Sequence, residues 1–222
     1  KRARIRIELA SGYFEQGRTT VALDEIKQAL AADPNYAAAY NLRGLVYMRM
    51  NELALAEASF NRAVQLNPRD ADAMHNLGWM WCQQGRLPPS LEQFGRALAV
   101  PGYTNAARTW MAQGVCQVRA GLNAEAEKSL TRAFELDASN PITMFNLASL
   151  QLLRGEALRA QFYVRRLNGS PELVNAESLW LGLRVERRLG NQEGVRQLAE
   201  QLRQRYPNSP EWAKFLRGAF DE

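Results

Sequence analysis

The feature that most restricts this chain is a period. Small residues recur at Ala10, Gly44, Gly78, Gly114, Ala148 and Gly182, at intervals of 34, 34, 36, 34 and 34 residues. A second series runs through Ala22, Ala56, Ser90, Ala126, Ala160 and Gly194. A third runs through Ala29, Ala63, Ala97 and Ala133, continued less well by Leu167 and Gln201. All three keep the same intervals, which is the mark of one structural unit used about six times. The two extra residues fall in 100–105, where Pro101-Gly102 marks a loop.

Each unit reads as a helical hairpin. Two antiparallel helices that approach closely need a small residue where they cross, because a bulky side chain would push them apart. Large residues then fill the neighbouring gaps: Tyr13, Tyr47 and Trp81 on the first helices, and Ile26, Phe60, Phe94, Leu130 and Val164 on the second. A breaker marks every hairpin turn, at Gly17, Asn51, Gly85, Gly121, Gly155 and Gly190. Between units stand Asp33-Pro34-Asn35, Asn67-Pro68-Arg69 and Asn140-Pro141. The residue before a proline is pushed out of the helical region, so a helix is expected to end at each.

The spacing resembles the tetratricopeptide-repeat (TPR) family. The second unit carries the family pattern as Tyr40, Gly44, Tyr47, Ala56, Phe60, Ala63 and Pro68, and departs at Arg43, where the family favours leucine. The third carries Leu77-Gly78, Trp81, Phe94 and Ala97, while the fifth and sixth are degenerate. The expected fold is all-α, a right-handed superhelical solenoid of about six helix-turn-helix repeats forming a single domain, 1–222. The repeats are expected at about 3–36, 37–70, 71–104, 107–140, 141–174 and 175–208. A short capping helix, 209–220, follows Pro207-Asn208-Ser209-Pro210, within a tail that runs to Glu222.

Composition narrows the function. With 46% hydrophobic and 23% charged residues, the chain can bury a large core and is not of disordered type. The net charge of +5 comes almost entirely from arginine; the lysines are Lys1, Lys27, Lys128 and Lys214. A basic balance suits nucleic acid or acidic lipid. Here the arginines alternate with acids, as in Arg184-Val185-Glu186-Arg187, which reads as a solvated helical surface. No apolar run reaches the 18 or so residues of a membrane helix. The chain starts at Lys1 rather than methionine, so a leader or N-terminal segment is expected to precede it.

In a stacked TPR array the first helices line the concave face. The residues three before, one after and four after each small residue point into that groove. They are Ile7, Ser11, Phe14; Asn41, Leu45, Met48; His75, Trp79, Cys82; Met111, Val115, Val118; Phe145, Ser149, Leu152; and Leu179, Leu183, Glu186. The candidate partner-binding set drawn from them is Ile7, Phe14, Asn41, Leu45, Met48, His75, Trp79, Met111, Val115, Val118, Phe145 and Leu152. A solvated groove should be polar, so an apolar one reads as a site for an apolar peptide or helix. The competing reading is that tight curvature buries these residues against their neighbours. Chaperone-binding TPR domains hold a peptide carboxylate with lysine and asparagine. The matching positions here are Ile7 and Ser11, so that clamp is absent. Asn41, Asn76 and Asn146 are placed either to bond a peptide backbone or to serve as caps and turns.

Chemistry finds little footing. His75 is the only histidine and reads as a polar contact in the groove, so neither a zinc site nor a general base is expected. Cys82 and Cys116 match no CxxC pattern and occupy non-equivalent positions, one toward the groove and one toward the second helix. A disulfide between them stays open. There is no phosphate loop after a strand and no GxSxG. No catalytic residue, metal or cofactor is expected.

Several stretches go beyond a generic repeat: 40–47, 76–85, 177–184 and the ending Gly218-Ala219-Phe220-Asp221-Glu222. Together they resemble the type IV pilus biogenesis and stability lipoproteins of Gram-negative bacteria, the PilF/PilW pilotin family. The resemblance implies a monomeric lipoprotein on the periplasmic face of the outer membrane. It would help the pilus secretin subunit reach that membrane and form multimers. It implies contacts at the early repeats, here Ile7, Phe14, Leu45 and Met48 with Trp79 next. It also implies a membrane link only through a lipid-bearing cysteine outside this chain. The alternatives are a TPR adaptor for another envelope or cytosolic complex and, more remotely, a nucleic-acid-binding helical repeat.

Overall fold

The breakers do cut the chain into helices. The computed structural model describes Lys1–Phe220; Asp221 and Glu222, the last residues of the expected capping segment, lie outside the described residues. Among the described residues there are thirteen helices and no strand. They run α1 Arg2–Glu15, α2 Thr19–Ala32, α3 Ala37–Arg49, α4 Leu53–Leu66, α5 Ala71–Gln83, α6 Leu87–Leu98, α7 Ala106–Arg119, α8 Asn123–Leu136, α9 Pro141–Leu153, α10 Ala157–Asn168, α11 Ala176–Arg188, α12 Gln192–Arg205 and α13 Pro210–Arg217. The hairpin turns all carry positive φ, from Gly17 at 77° to Gly190 at 72°. Asn51, at 61°, is the one non-glycine among the described residues to do so, a conformation that asparagine tolerates better than most.

The inter-repeat signals need one correction. α2 and α4 stop before Asp33 and Asn67, as the following prolines require. Asn140-Pro141 instead starts a helix. Asn140 accepts a hydrogen bond from the Thr143 amide at 3.1 Å, and Pro141 occupies the first helical position, where no N–H is missed. The preceding α8 has already ended at Leu136.

The small-residue series are the helix crossings. Ala10, Ala22, Ala29, Ala56, Ala63, Ala97, Ala126, Ala148 and Ala160 have no exposed surface, and Ala133 almost none. The fillers Ile26, Phe60, Phe94, Leu130 and Val164 are buried beside them. Glycine inside a helix costs about 1 kcal/mol relative to alanine. At position 44 packing outweighs that cost: a Cβ there would lie 2.5 Å from Cε1 of Phe60. At the next crossing Ser90 uses its hydroxyl to bond the Gly78 carbonyl at 2.7 Å. Arg43, the departure from the family's leucine, donates Nε to Ser59 Oγ at 3.0 Å and lies over the Tyr40 ring.

The chain forms two compact units, Lys1–Cys116 and a second beginning at Gln117. In the first, α1–α2, α3–α4 and α5–α6 are paired hairpins. Their cores centre on Ile26 and Val46, on Phe60 and Leu77, and on Phe94 with Cys82 and Cys116. In the second, Leu130 with Leu147, Val164 with Val185, and Leu179 with Leu202 mark the cores. There α13 packs on α11 and α12 as a cap, bringing Trp212 and Phe215 against Leu179 and Leu183.

Polar brackets also fasten hairpin to hairpin. The residue after the second-series alanine reaches the next first helix. Glu57 accepts from Trp81 Nε1 at 2.9 Å, Glu127 accepts from Gln151 Nε2 at 2.8 Å, and Gln161 donates to Glu186 at 2.9 Å. Glu186, almost fully buried, is completed by Arg165 and Asn191.

One covalent tie was left open by the sequence. Cys82 and Cys116 form a disulfide, with Cα atoms 5.9 Å apart. Neither is open to the groove; both are buried, joined from α5 to α7 in a core shared with Phe94 of α6. Their offset follows a register common to consecutive first helices. The residue four after one small residue meets the residue two after the next. Phe14 shares a core with Val46, Met48 with Met80, and Val118 with Leu150. Cys82 and Cys116 are the same pair in covalent form.

Gly44→Ala is expected to destabilise the protein by about 2 kcal/mol through overpacking against Phe60. Gly95→Ala, where a Cβ meets nothing within 4 Å, should stabilise it by about 0.5–1 kcal/mol; chemical denaturation checks both. Replacing Cys82 and Cys116 together by alanine removes a link across 34 residues. Unfolding should then be easier by about 3–4 kcal/mol, with the wild type matching the variant once reductant is added.

Candidate protein-binding face

In the first unit the helices α1, α3 and α5 pack side by side, α1 on α3 and α3 on α5. Ile7, Phe14, Asn41, Leu45, Met48 and Trp79 stand on them half-exposed, with Met111 and Val115 likewise on α7. Each apolar one on α1, α3 and α5 is rooted in a core. Ile7 and Phe14 rest on the Ile26 and Leu42 cluster, Leu45 and Met48 on Met74 and Leu77, and Trp79 on the disulfide and Phe94. A side chain already held on one side loses little rotamer freedom when a partner covers the other. Arg49 roofs Phe14, its guanidinium 3.7 Å above the ring, and donates to the Phe14 carbonyl.

The polar members divide between the two roles open to them. Asn76 is buried; it donates to Asn41 Oδ1 at 3.0 Å and accepts from Arg108 at 3.4 Å, so burial withdraws it from a peptide. Asn146, in the second unit, spends its amide on the Ile142 carbonyl at 2.8 Å. Asn41 keeps its NH2 group unpartnered among the described residues.

His75 is not a groove residue. Only 2% of its surface is exposed. One ring nitrogen, Nδ1, pairs with Thr109 Oγ1 at 2.8 Å. The chain continues through Tyr103 Oη, 2.9 Å from Thr109 and 3.2 Å from Asp72. It ties α5 to the Pro101-Gly102 loop and to α7. Burial, reinforced by the Arg108 charge, lowers the His75 pKa to about 3, so the ring is neutral.

The face also closes at α11. Leu179 and Leu183 have no exposed surface because α13 covers them, and Glu186 is occupied by its three partners. Helix α11 packs on both sides, so its alternate positions are core rather than groove. In the second unit Val118 remains half-exposed on the Leu130 core, and Phe145 and Leu152 on the Val164 core. No described helix is long and apolar enough to cross a membrane.

A family model described as tetratricopeptide repeat matches residues 7–71 and, overlapping them, 42–107. The type IV pilus assembly protein PilF of Pseudomonas aeruginosa is 25% identical over 210 residues, 94% of this chain and 82% of that protein. A crystal structure of PilW, described as a widely conserved type IV pilus biogenesis factor, superposes with a TM-score of 0.86 at 27% identity, covering 96% of this chain and 98% of PilW. The structure of Pseudomonas aeruginosa PilF superposes with a TM-score of 0.89 at 24% identity, covering 97% of each chain.

Because the His75 pKa is depressed in the folded state, its contribution is full above the unfolded value of 6.5 and is lost as pH falls toward about 3. At about pH 5 the loss should be about 2 kcal/mol. Urea titrations from neutral to about pH 5 are expected to show this slope in the wild type, and a His75→Leu variant should show it flattened.

Proposed function

We propose that this chain, which carries tetratricopeptide repeats in the all-α solenoid fold and is homologous to the pilus proteins PilF and PilW, acts as a pilotin: it holds a segment of the type IV pilus secretin subunit and brings it to the outer membrane. In this reading it is a protein-binding scaffold and not an enzyme. Residues 1–222 work as one domain of six repeats. The observation that carries the reading is the row of half-exposed apolar side chains on α1, α3 and α5: Ile7, Phe14, Leu45, Met48 and Trp79. These belong to the early repeats, and each is pre-anchored in a core.

The mechanism is physical. An unassembled secretin subunit exposes an apolar segment that is prone to aggregate. The face covers it, and burial supplies roughly 25 cal/mol per Å² before the cost of ordering the segment. The Asn41 amide is placed to bond the segment's backbone. Met111 and Val115 extend the apolar contact within the first unit, and Val118 and Phe145 offer the second unit an apolar contact of its own. A lipid anchor outside these residues carries the pair to the periplasmic face of the outer membrane. The Cys82–Cys116 disulfide supports a periplasmic home, since such bonds persist in oxidising compartments and are rare in the cytosol. The same bond weighs against a cytosolic adaptor. A nucleic-acid role finds little support, because many arginines are neutralised by acids, as Arg6 is by Glu25, Arg86 by Glu57 and Arg165 by Glu186.

Titration of the protein into purified secretin subunit should give saturable binding. Leu45→Glu and Trp79→Ala should each weaken it by about tenfold or more, the size of one buried apolar anchor, with helicity by circular dichroism retained. Wild-type affinity in both variants would remove this face from the account.

A further inference from the structure

The interlock between consecutive first helices has one exception, and it opens a pocket. Residues two after the small one are Val46, Met80, Cys116 and Leu150, all buried against the preceding first helix. The corresponding residue on α11 is Arg184, only half-buried. Its partner in the register is Leu152, four residues after Ala148. Leu152 and Arg184 do face each other, but across a concavity of about 550 Å³ that both line, with Leu153, Gly155, Arg187, Arg188 and Phe220. Where the other repeats have a filled seam, this one has a hole.

The walls of the hole are chemically one-sided. Arg184, Arg187 and Arg188 fall within one turn of α11 and so share a face, where like charges repel. None forms an ion pair among the described residues. The described acids nearby are already committed: Glu186 to Gln161, Arg165 and Asn191, and Glu156 to Arg154 and Arg159. Arg187 is instead held 3.9 Å over the Phe220 ring, which itself stacks on Trp180 at 5.1 Å. The opposite wall is aliphatic, and Leu153 keeps 72% of its surface exposed. For stability alone a leucine at 184 would serve better, by continuing the seam.

We propose that this pocket docks an acidic segment of a partner protein, a carboxylate side chain flanked by an apolar one. The guanidiniums match a carboxylate in geometry and charge, and Leu152 and Leu153 match the apolar neighbour. Charge complementarity selects the occupant, because among the described residues no acid beside the pocket is free to neutralise the three arginines. The aliphatic wall has no use for inorganic phosphate, and a single concavity does not follow the spaced charges of a nucleic-acid backbone. The site lies in the second unit and is independent of the apolar face on α1, α3 and α5.

The test uses the full chain and two fluorescein-labelled eight-residue peptides in a Gly/Ser frame. One holds two Leu–Glu pairs and the other two Leu–Gln pairs. Fluorescence anisotropy at low salt should show the Glu peptide binding about tenfold or more tighter. Arg188→Ala should weaken it about fivefold. Arg184→Leu should abolish the preference while raising the melting temperature, which separates loss of the site from loss of the fold. Equal binding of the two peptides, no binding of either, or an unchanged preference in Arg184→Leu would overturn the proposal. So would displacement of the Glu peptide by equimolar inorganic phosphate, since that marks a simple anion site.

Discussion

The close approach of two helices at a residue with almost no side chain governs this molecule. At Gly44 the backbone of α3 comes so near the Phe60 ring that a single methyl group would lie 2.5 Å from it. Ser90 closes the next crossing by bonding the Gly78 carbonyl. Within each hairpin these crossings set the distance between helices. That distance in turn sets which side chains of consecutive hairpins can touch. The cores on Ile26, Phe60, Phe94, Leu130 and Val164 all depend on it, and so do the polar brackets of Glu57, Glu127 and Gln161.

Between hairpins a second rule operates along the first helices. A position four past one crossing meets a position two past the next. Apolar pairs fill it at Phe14 with Val46, Met48 with Met80, and Val118 with Leu150. Covalent chemistry fills it at Cys82 with Cys116. At Leu152 and Arg184 nothing fills it. A repeat array can leave one such joint open because its stability is a sum over neighbours, and the cap α13 supplies burial close by. The departure from the rule is therefore informative, since local inconsistencies gather where a surface has another use.

The exposed apolar residues of the first unit follow from the same construction. In the first unit hairpin stacking buries one side of each first helix and leaves part of the other toward solvent. Ile7, Leu45, Met48 and Trp79 sit at the edge between the two. They are held firmly enough to be preorganised and exposed enough to be covered. His75 shows how narrow that edge is. It shares its helix with Trp79, one turn away, yet it is sealed in a polar chain with Thr109, Tyr103 and Asp72.

Much of the architecture was legible because small residues, turn glycines and prolines act locally: a crossing, a left-handed turn or a missing N–H is a property of one position. The repeat count, the helical hairpins, the buried fillers and most of the apolar face could be read in this way. Pairings between hairpins could not. Counting positions on one helix placed Cys82 in a groove, left Asn76 available to a peptide, and gave α11 an open face. Each of those depends on what the neighbouring helix or the cap brings against it. The period by itself determined the unit and its number. Only the tertiary structure decided which faces of those units are sealed, bonded or left open, because that depends on the offset between helices distant in sequence, and a one-dimensional spacing does not contain it.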